Sequence, residues 1–171
     1  MHGLRQQLRE RLDRLSREWL ARGLPTREEL LRTAAELEAW KAQNDVAGIW
    51  PHPPRLITAT LDDGLGQGLE LIERFARILG LSVSPMGLLR EPAAIVARCQ
   101  KETPDFLGLT VLQLDSDDDL AAVGRHLPPR TRLIAGGPAF RLDPDLAVLC
   151  NVSYVAENLA GFMDYILANN P

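Results

Sequence analysis

The sequence has few of the side chains that catalysis and metal binding usually require. Its 171 residues include three histidines, two cysteines and only two lysines, Lys41 and Lys101. Cys99 and Cys150 lack metal-type spacing, so we interpret both as free, buried thiols in a reducing compartment. There is also no Ser-His-acid candidate and no set of paired histidines. These absences argue against a catalytic triad, lysine chemistry and a metal cluster held by the protein.

Long apolar runs and an excess of positive charge are also missing. No apolar stretch approaches the ~18 residues of a membrane span, and the Arg-rich N-terminus does not have the pattern of a signal peptide. The net charge of −4 argues against general nucleic-acid binding. We therefore expect a cytoplasmic protein that binds neither membranes nor nucleic acid.

The N-terminal third of the chain predicts a helical hairpin followed by a linker. Residues 1–47 contain two amphipathic helices, and Thr26 with Glu29 predicts a capping box at the start of the second. Residues 48–54 contain three prolines and predict a stiff, extended linker. Because two helices cannot bury their own apolar faces, the hairpin must dock on the following domain or on a second copy. The alternative is a lid whose tryptophans cover a ligand.

Residues 55–171 alternate between short apolar runs and helical spacing. Strands are predicted near 56–61, 81–86, 106–111, 132–135 and 152–155, and helices near 66–79, 92–101, 117–126, 143–149 and 159–168. Ser116 or Asp115 is expected to cap the third of these helices. Five strand–helix units imply a parallel sheet covered on both faces, with right-handed crossovers. We predict a flavodoxin-like, doubly wound α/β domain with strand order 2-1-3-4-5.

Three loops at the carboxyl ends of the predicted strands are distinctive. Acids and glycines follow the first strand at 62–68, Thr110-Val111-Leu112 ends the third, and Gly136-Gly137-Pro138 follows the fourth. Ligands of such sheets bind outside the carboxyl ends of the strands, and glycine permits a close backbone approach. A single glycine after a strand is usually only a turn, but three such loops at one edge predict a ligand cleft.

The three loops also carry a family resemblance. Residues 55–168 resemble the cobalamin-binding domain of methionine synthase, methylmalonyl-CoA mutase and corrinoid proteins, whose motifs are Asp-x-His-x-x-Gly, Ser-x-Leu and Gly-Gly. Here they read Asp63-Gly64-Leu65-Gly66-Gln67-Gly68, Thr110-Val111-Leu112 and Gly136-Gly137. The resemblance implies a corrinoid whose nucleotide tail lies in the sheet crevice. The cofactor-binding residues that it implies are Asp63, Gly64, Leu65, Gly68, Thr110, Val111, Leu112, Gly136, Gly137 and Pro138.

Leu65 stands where the resembling family has the histidine that ligates cobalt. Leucine has no lone pair for cobalt, and Asp63 then has no imidazole to polarise, so the role of that pair does not carry over. His52 and His126 belong to the opposite end of the sheet, and His2 to the N-terminal segment. We therefore expect cobalamin to bind with its cobalt water-bound or four-coordinate, without a histidine ligand from the protein.

The cleft loops contain no nucleophile or general base, so we do not expect catalysis by this chain alone. We predict a corrinoid-binding sensor or carrier, metal-binding only through its cobalamin, that contacts a partner protein or a second copy through the hairpin. The alternative is a protein–protein adaptor or regulatory domain that has lost the cofactor or binds another tetrapyrrole such as haem, for which no axial histidine is placed. We expect Gly137→Trp to abolish corrinoid binding and to leave the fold intact.

Two other ligand classes fit the same fold less well. Asp62-Asp63 resembles the acidic pair of phosphoacceptor receiver domains, but Thr110 stands in place of their third aspartate and 156–158 contains no lysine. A flavin site usually needs aromatic rings on both sides of the flavin, and the cleft loops contain only Phe140.

Overall fold

The computed structural model describes residues 2–62 and 67–169, without the side chains of residues 2, 67 and 114. Within these ranges the helices are α1 His2–Arg22, α2 Arg27–Gln43, α3 Gln67–Leu79, α4 Pro92–Glu102, α5 Asp117–His126, α6 Ala139–Leu142, α7 Leu146–Leu149 and α8 Leu159–Ala168. The strands are β1 Arg55–Thr60, β2 Ser82–Gly87, β3 Phe106–Thr110, β4 Arg132–Gly136 and β5 Tyr154–Ala156. A 3₁₀ turn, Leu114–Ser116, precedes α5. No helix in the described ranges has both the length and the apolar composition of a membrane-spanning segment.

The strands form one sheet in the order β2-β1-β3-β4-β5, which confirms the predicted flavodoxin-like topology. The strands β1, β3, β4 and β5 pair in parallel, with Leu56 opposite Phe106 and Phe106 opposite Arg132. The predicted capping box is also present, because Thr26 accepts from the backbone N–H of Glu29 and the Glu29 side chain accepts from that of Thr26.

The prediction of one helix at 143–149 is wrong. The structure has the two short helices α6 and α7, and between them lies Pro144. Proline has no backbone N–H and clashes with the preceding turn, so it separates the two helices. The expected cap of α5 is also only half right. Ser116 occupies the N-cap position, but its side chain makes no capping hydrogen bond.

The described chain divides into two compact units, and the second contains most of the sheet with helices α4 to α7. Its core joins one face of the strands, with Ile57 and Leu107, to Ile95 of α4 and Leu120 of α5. The two cysteines are also buried and form no disulfide, as predicted. Burial raises the pKa of the Cys99 thiol to about 11 and also raises the pKa of Cys150, so both thiols stay protonated at neutral pH.

The first unit combines the N-terminal hairpin with α3 from Glu70 onward and with α8. Trp19 of α1 packs edge-on against Phe75 of α3, with ring centroids 5.7 Å apart. Glu38 of α2 binds the guanidinium of Arg74 through both of its carboxylate oxygens, at 2.8 and 2.7 Å. The hairpin therefore docks on helices that belong to the predicted α/β domain of the same chain.

The C-terminus of α3 is a second attachment point within this unit. Lys41 of α2 donates to the carbonyl oxygens of Arg77 and Ile78, at 2.7 and 2.9 Å, where the helix leaves carbonyls without partners of its own. Gly48 of the proline-rich segment contacts Gly80 so closely that a Cβ added to Gly48 would lie 2.3 Å from the Cα of Gly80. Both contacts hold the end of α2 and the segment that leaves the hairpin against the C-terminus of α3.

Candidate functional site

Four strands end at the carboxyl edge of the sheet in a row of small residues. The register places Thr60 opposite Thr110, Thr110 opposite Gly136, and Gly136 opposite Ala156. Paired residues of neighbouring strands lie on the same face of a sheet, so these four residues form one continuous row across β1, β3, β4 and β5. We call them the edge row.

The face that carries the edge row becomes less bulky toward the carboxyl ends of the strands. On β1 and β3 it begins with Leu56 and Phe106 and continues two residues later with Thr58 and Gly108. The opposite face of the same strands packs into the core with α4 and α5. At the edge row itself the side chains are small, with two threonines, one glycine and one alanine.

Asp62 lies two residues after β1 and holds the loop that follows β3. Its Oδ2 accepts hydrogen bonds from the backbone N–H groups of Leu112 and Gln113, at 2.8 and 3.1 Å, and from the Ser116 hydroxyl at 3.4 Å. The residue is 5% exposed, and Oδ1 has no hydrogen-bond partner among the described residues. Ser116 therefore donates to a buried carboxylate instead of capping α5.

Thr60 holds the loop on the other side of β1. Its carbonyl oxygen accepts from the N–H of Arg90 at 2.9 Å, and its hydroxyl accepts from the N–H of Leu89 at 3.2 Å. The same hydroxyl donates to the carbonyl oxygen of Asp62 at 3.0 Å. Leu89 adopts a φ of 50° with a side chain that is 63% exposed, a conformation that non-glycine residues rarely adopt. Thr60 and Asp62 thus position the loops on both sides of β1.

Gly136 and Gly137 are required by the close packing of the strand ends. Gly137 has a φ of 121°, and a Cβ added there would lie 2.1 Å from the carbonyl oxygen of Val111. A Cβ on Gly136 would lie 2.7 Å from the carbonyl oxygen of Ala156. Our expectation that Gly137→Trp leaves the fold intact is therefore wrong, because even one added carbon collides with backbone atoms.

The structure brings together the predicted site residues that end or follow β3 and β4. Val111 joins the two loops, because its N–H donates to the carbonyl oxygen of Gly136 at 2.8 Å. The residues gathered in this way are Thr110, Val111, Leu112, Gly136, Gly137 and Pro138. Gly68 is exposed at the start of α3. Asp63, Gly64 and Leu65 lie outside the described residues, and their roles stay predictions.

By sequence, the chain matches no family model and no curated protein. Solved structures do match it. A cobalamin-binding protein from Desulfitobacterium hafniense DCB-2 superposes with a TM-score of 0.78 at 16% identity, over 95% of this chain and 79% of that one. The monomethylamine corrinoid protein of Methanosarcina barkeri superposes with a TM-score of 0.59 at 15% identity, over 95% of this chain and 96% of that one. A chain of the methanol:cobalamin methyltransferase complex MtaBC from the same organism superposes with a TM-score of 0.63 at 19% identity, over 90% of this chain and 62% of that one.

This chain has the fold of cobalamin-binding proteins. The cobalamin-binding fold here includes most of the hairpin. Residues 55–171 make up only about two thirds of the sequence, whereas the first two matches cover 95% of it. At 15–19% identity the likeness shows the fold, and the ligand has to be argued from the residues of this chain.

The candidate site at the carboxyl edge of the sheet is bordered by small residues. Of the two hydroxyl groups in the edge row, that of Thr60 is hydrogen-bonded within the protein, whereas Thr110 is a half-buried residue. His52 lies three residues before β1, and His126 ends α5, so both are at the amino edge of the sheet. Within the described ranges, no group of three or more His, Cys, Asp or Glu gathers as ligands for a metal ion.

Sequence reasoning missed Asp62 and Ala156 as residues of the candidate site. The loop 62–68 was predicted to border the cleft, but the motif singles out Asp63, and Asp62 itself was given a role only in the receiver-domain alternative. An acid directly after a buried strand was an available signal, but two adjacent acids do not show which of them is buried. The place of Ala156 in the edge row depends on the register between β4 and β5.

Gly68 is a position where stability and ligand binding should change in opposite directions. A Cβ added there meets no described atom within 4 Å. Gly68→Ala should therefore raise the free energy of unfolding by about 0.5–1 kcal/mol, because alanine favours the helix. If the glycine is needed for contact with a corrinoid, as the motif implies, the same variant should bind cobalamin several-fold more weakly. Urea unfolding and an absorbance titration test both effects, and an unchanged Kd would remove Gly68 from the site.

Proposed function

We propose that this protein is a non-catalytic corrinoid-binding protein that acts as a carrier or sensor. The nucleotide tail lies in the crevice at the carboxyl edge, and cobalt receives no histidine ligand from the protein. The observation that carries this proposal is the edge row, because four adjacent strands end in small residues at the place where doubly wound sheets bind ligands.

In this proposal the residues of the chain bind and orient the cofactor. Thr110 is half-buried in the edge row, and its hydroxyl is available to a polar group of the tail. The loops fixed by Thr60 and Asp62 stand on both sides of β1 and limit the access of water to the crevice. The bound corrinoid supplies the cobalt chemistry, and a separate protein supplies the catalytic groups.

The hairpin is the proposed surface for a partner protein or for a second copy. Three leucines of the hairpin and its turn have exposed side chains: Leu20 is 49% exposed, and Leu24 and Leu31 are each 37% exposed. One structural neighbour is part of a methyltransferase complex, which supports a carrier role. We also propose that the domain boundaries lie at 1–47, 48–54 and 55–171. A further proposal is a cytoplasmic location, with which the two buried cysteines agree because they form no disulfide.

The proposal is tested by titrating cofactor-free protein with hydroxo-, methyl- and adenosylcobalamin. Binding should raise the melting temperature, with about 2.7 kcal/mol of stabilisation at a hundredfold excess over Kd. Ala156→Leu should remove most of this shift, because the larger side chain fills the edge row at a half-exposed position. Ala94→Leu, the same change at an exposed position of α4, is the matched control and should bind like the wild type.

The spectrum of the bound cofactor distinguishes the ways of binding. A base-off spectrum is expected, because a tail in the crevice takes the benzimidazole away from cobalt. A base-on spectrum would contradict the tail-in-crevice arrangement. No binding of any cobalamin would overturn the proposal and favour the adaptor that has kept the fold without the cofactor.

A further inference from the structure

Asp62 lies at the point where a sheet of this topology binds ligands. In the order β2-β1-β3-β4-β5 the strand order reverses between β1 and β3, and doubly wound sheets bind ligands outside the carboxyl ends of the strands at such a switch point. Asp62 follows β1, and its Oδ2 binds the N–H groups of Leu112 and Gln113 after β3. Its carboxylate therefore links the end of β1 to the loop after β3 at the switch point of the sheet.

The protein uses only one oxygen of this carboxylate. Oδ2 has three donors, whereas Oδ1 has none among the described residues, although Asp62 is only 5% exposed. A buried carboxylate oxygen without a hydrogen-bond donor is unfavourable, so Oδ1 calls for a donor that the described protein atoms do not supply. The backbone contacts of Oδ2 fix the carboxylate, so Oδ1 is held in place for a donor from outside the protein.

We infer that Oδ1 of Asp62 accepts a hydrogen bond from an N–H or O–H group of the ligand. The inference rests on the proposed function, since a corrinoid carries both kinds of donor, in the carboxamides of the ring and in the ribose of the tail. A metal ion is a poorer match, because no further acidic, histidine or cysteine cluster is gathered around Asp62 in the described part of the chain. Asp62 is then a residue that selects for donor groups and against anionic ones.

Asp62→Asn tests this role with almost no change in shape. The amide oxygen can accept the hydrogen bonds that Oδ2 accepts now, whereas the amide N–H₂ replaces Oδ1 and places a donor opposite a donor. We expect the melting temperature of the cofactor-free variant to change by only a few degrees. We expect its Kd for hydroxocobalamin to rise by about tenfold to a hundredfold, as for the loss of a hydrogen bond to a charged group.

Ser116→Ala is the matched control, because it removes a donor to Oδ2 and leaves Oδ1 untouched. It should lower the melting temperature slightly and leave Kd within about twofold of the wild type. If the wild type binds cobalamin and Asp62→Asn binds it equally well, the inference fails and the proposed function stands. If the wild type binds no cobalamin, both fail. Asp62→Ser is the second variant, and loss of the folded state in both Asp62 variants would show a purely structural role and overturn the inference.

Discussion

Gly137→Ala should lower the free energy of unfolding by about 3–5 kcal/mol. Two physical effects add at this position. The backbone has a φ of 121°, which residues with a Cβ adopt only with strain, and the new Cβ would lie 2.1 Å from the carbonyl oxygen of Val111. The loops after β3 and β4 cannot separate without breaking the hydrogen bond from Val111 to Gly136. Urea unfolding followed by far-UV circular dichroism measures the loss.

Gly23→Ala is the control that separates these two effects. Gly23 follows α1 with a φ of 90°, but a Cβ added there meets no described atom within 4 Å. Its substitution should therefore show only the conformational strain, about 1–2 kcal/mol. Equal losses at Gly23 and Gly137 would contradict the close contact with Val111. They would also restore Gly137 as a position for testing the ligand without disturbing the fold.

Phe75→Ala should also destabilise the protein strongly, by about 3–5 kcal/mol. Phe75 is completely buried in α3 and contacts Trp19 of α1 edge-on. Its removal leaves a cavity that the rigid helices around it cannot fill, and it weakens the docking of the hairpin. Thermal and urea unfolding should both report the loss, and proteolysis should cut the hairpin faster in the variant.

A double-mutant cycle between Trp19 and Phe75 measures how much of this loss belongs to the hairpin contact. We expect a coupling energy of about 0.5–1.5 kcal/mol, as is usual for aromatic pairs. Trp40→Ala is the matched control. The Cζ atom of Arg11 lies 4.6 Å from the centroid of the Trp40 ring, and among the described residues the aromatic partner recorded for Phe75 is Trp19. Additive losses for Trp19 and Phe75 would show that the hairpin is not held by this pair.

The parts of the fold that could be predicted from the sequence are determined by residues that lie close together along the chain. The alternation of strand and helix patterns, the capping box at Thr26 and Glu29, and Pro92 at the first turn of α4 involve residues a few positions apart. The handedness rule for crossovers then left few possible strand orders, and the predicted one is correct. At 143–149 the predicted helix starts too early, because helical structure begins at Leu146 after Pro144, and the short helix Ala139–Leu142 was not predicted.

The candidate site was only partly predictable because its contacts join distant segments. The motifs drew attention to the loops after β3 and β4, whose role stays a prediction, but the backbone partners of Asp62 lie 50 and 51 residues away in the sequence. Which of two adjacent acids is buried depends on how the end of β1 meets the loop after β3. This contact between distant segments leaves no pattern in the local sequence, so the sequence alone did not show that Asp62 is the buried acid.

The sequence by itself determined the flavodoxin-like topology and the helical hairpin, and it predicted the edge of the sheet at which we propose that a ligand binds. Only the tertiary structure decided that Gly137 serves the packing of two loops, that the hairpin docks on α3 and α8, and that small residues form the edge row. The reason is physical. Periodicity, capping and handedness act along a few turns of chain, whereas burial, register and close backbone contact exist only after distant segments have met.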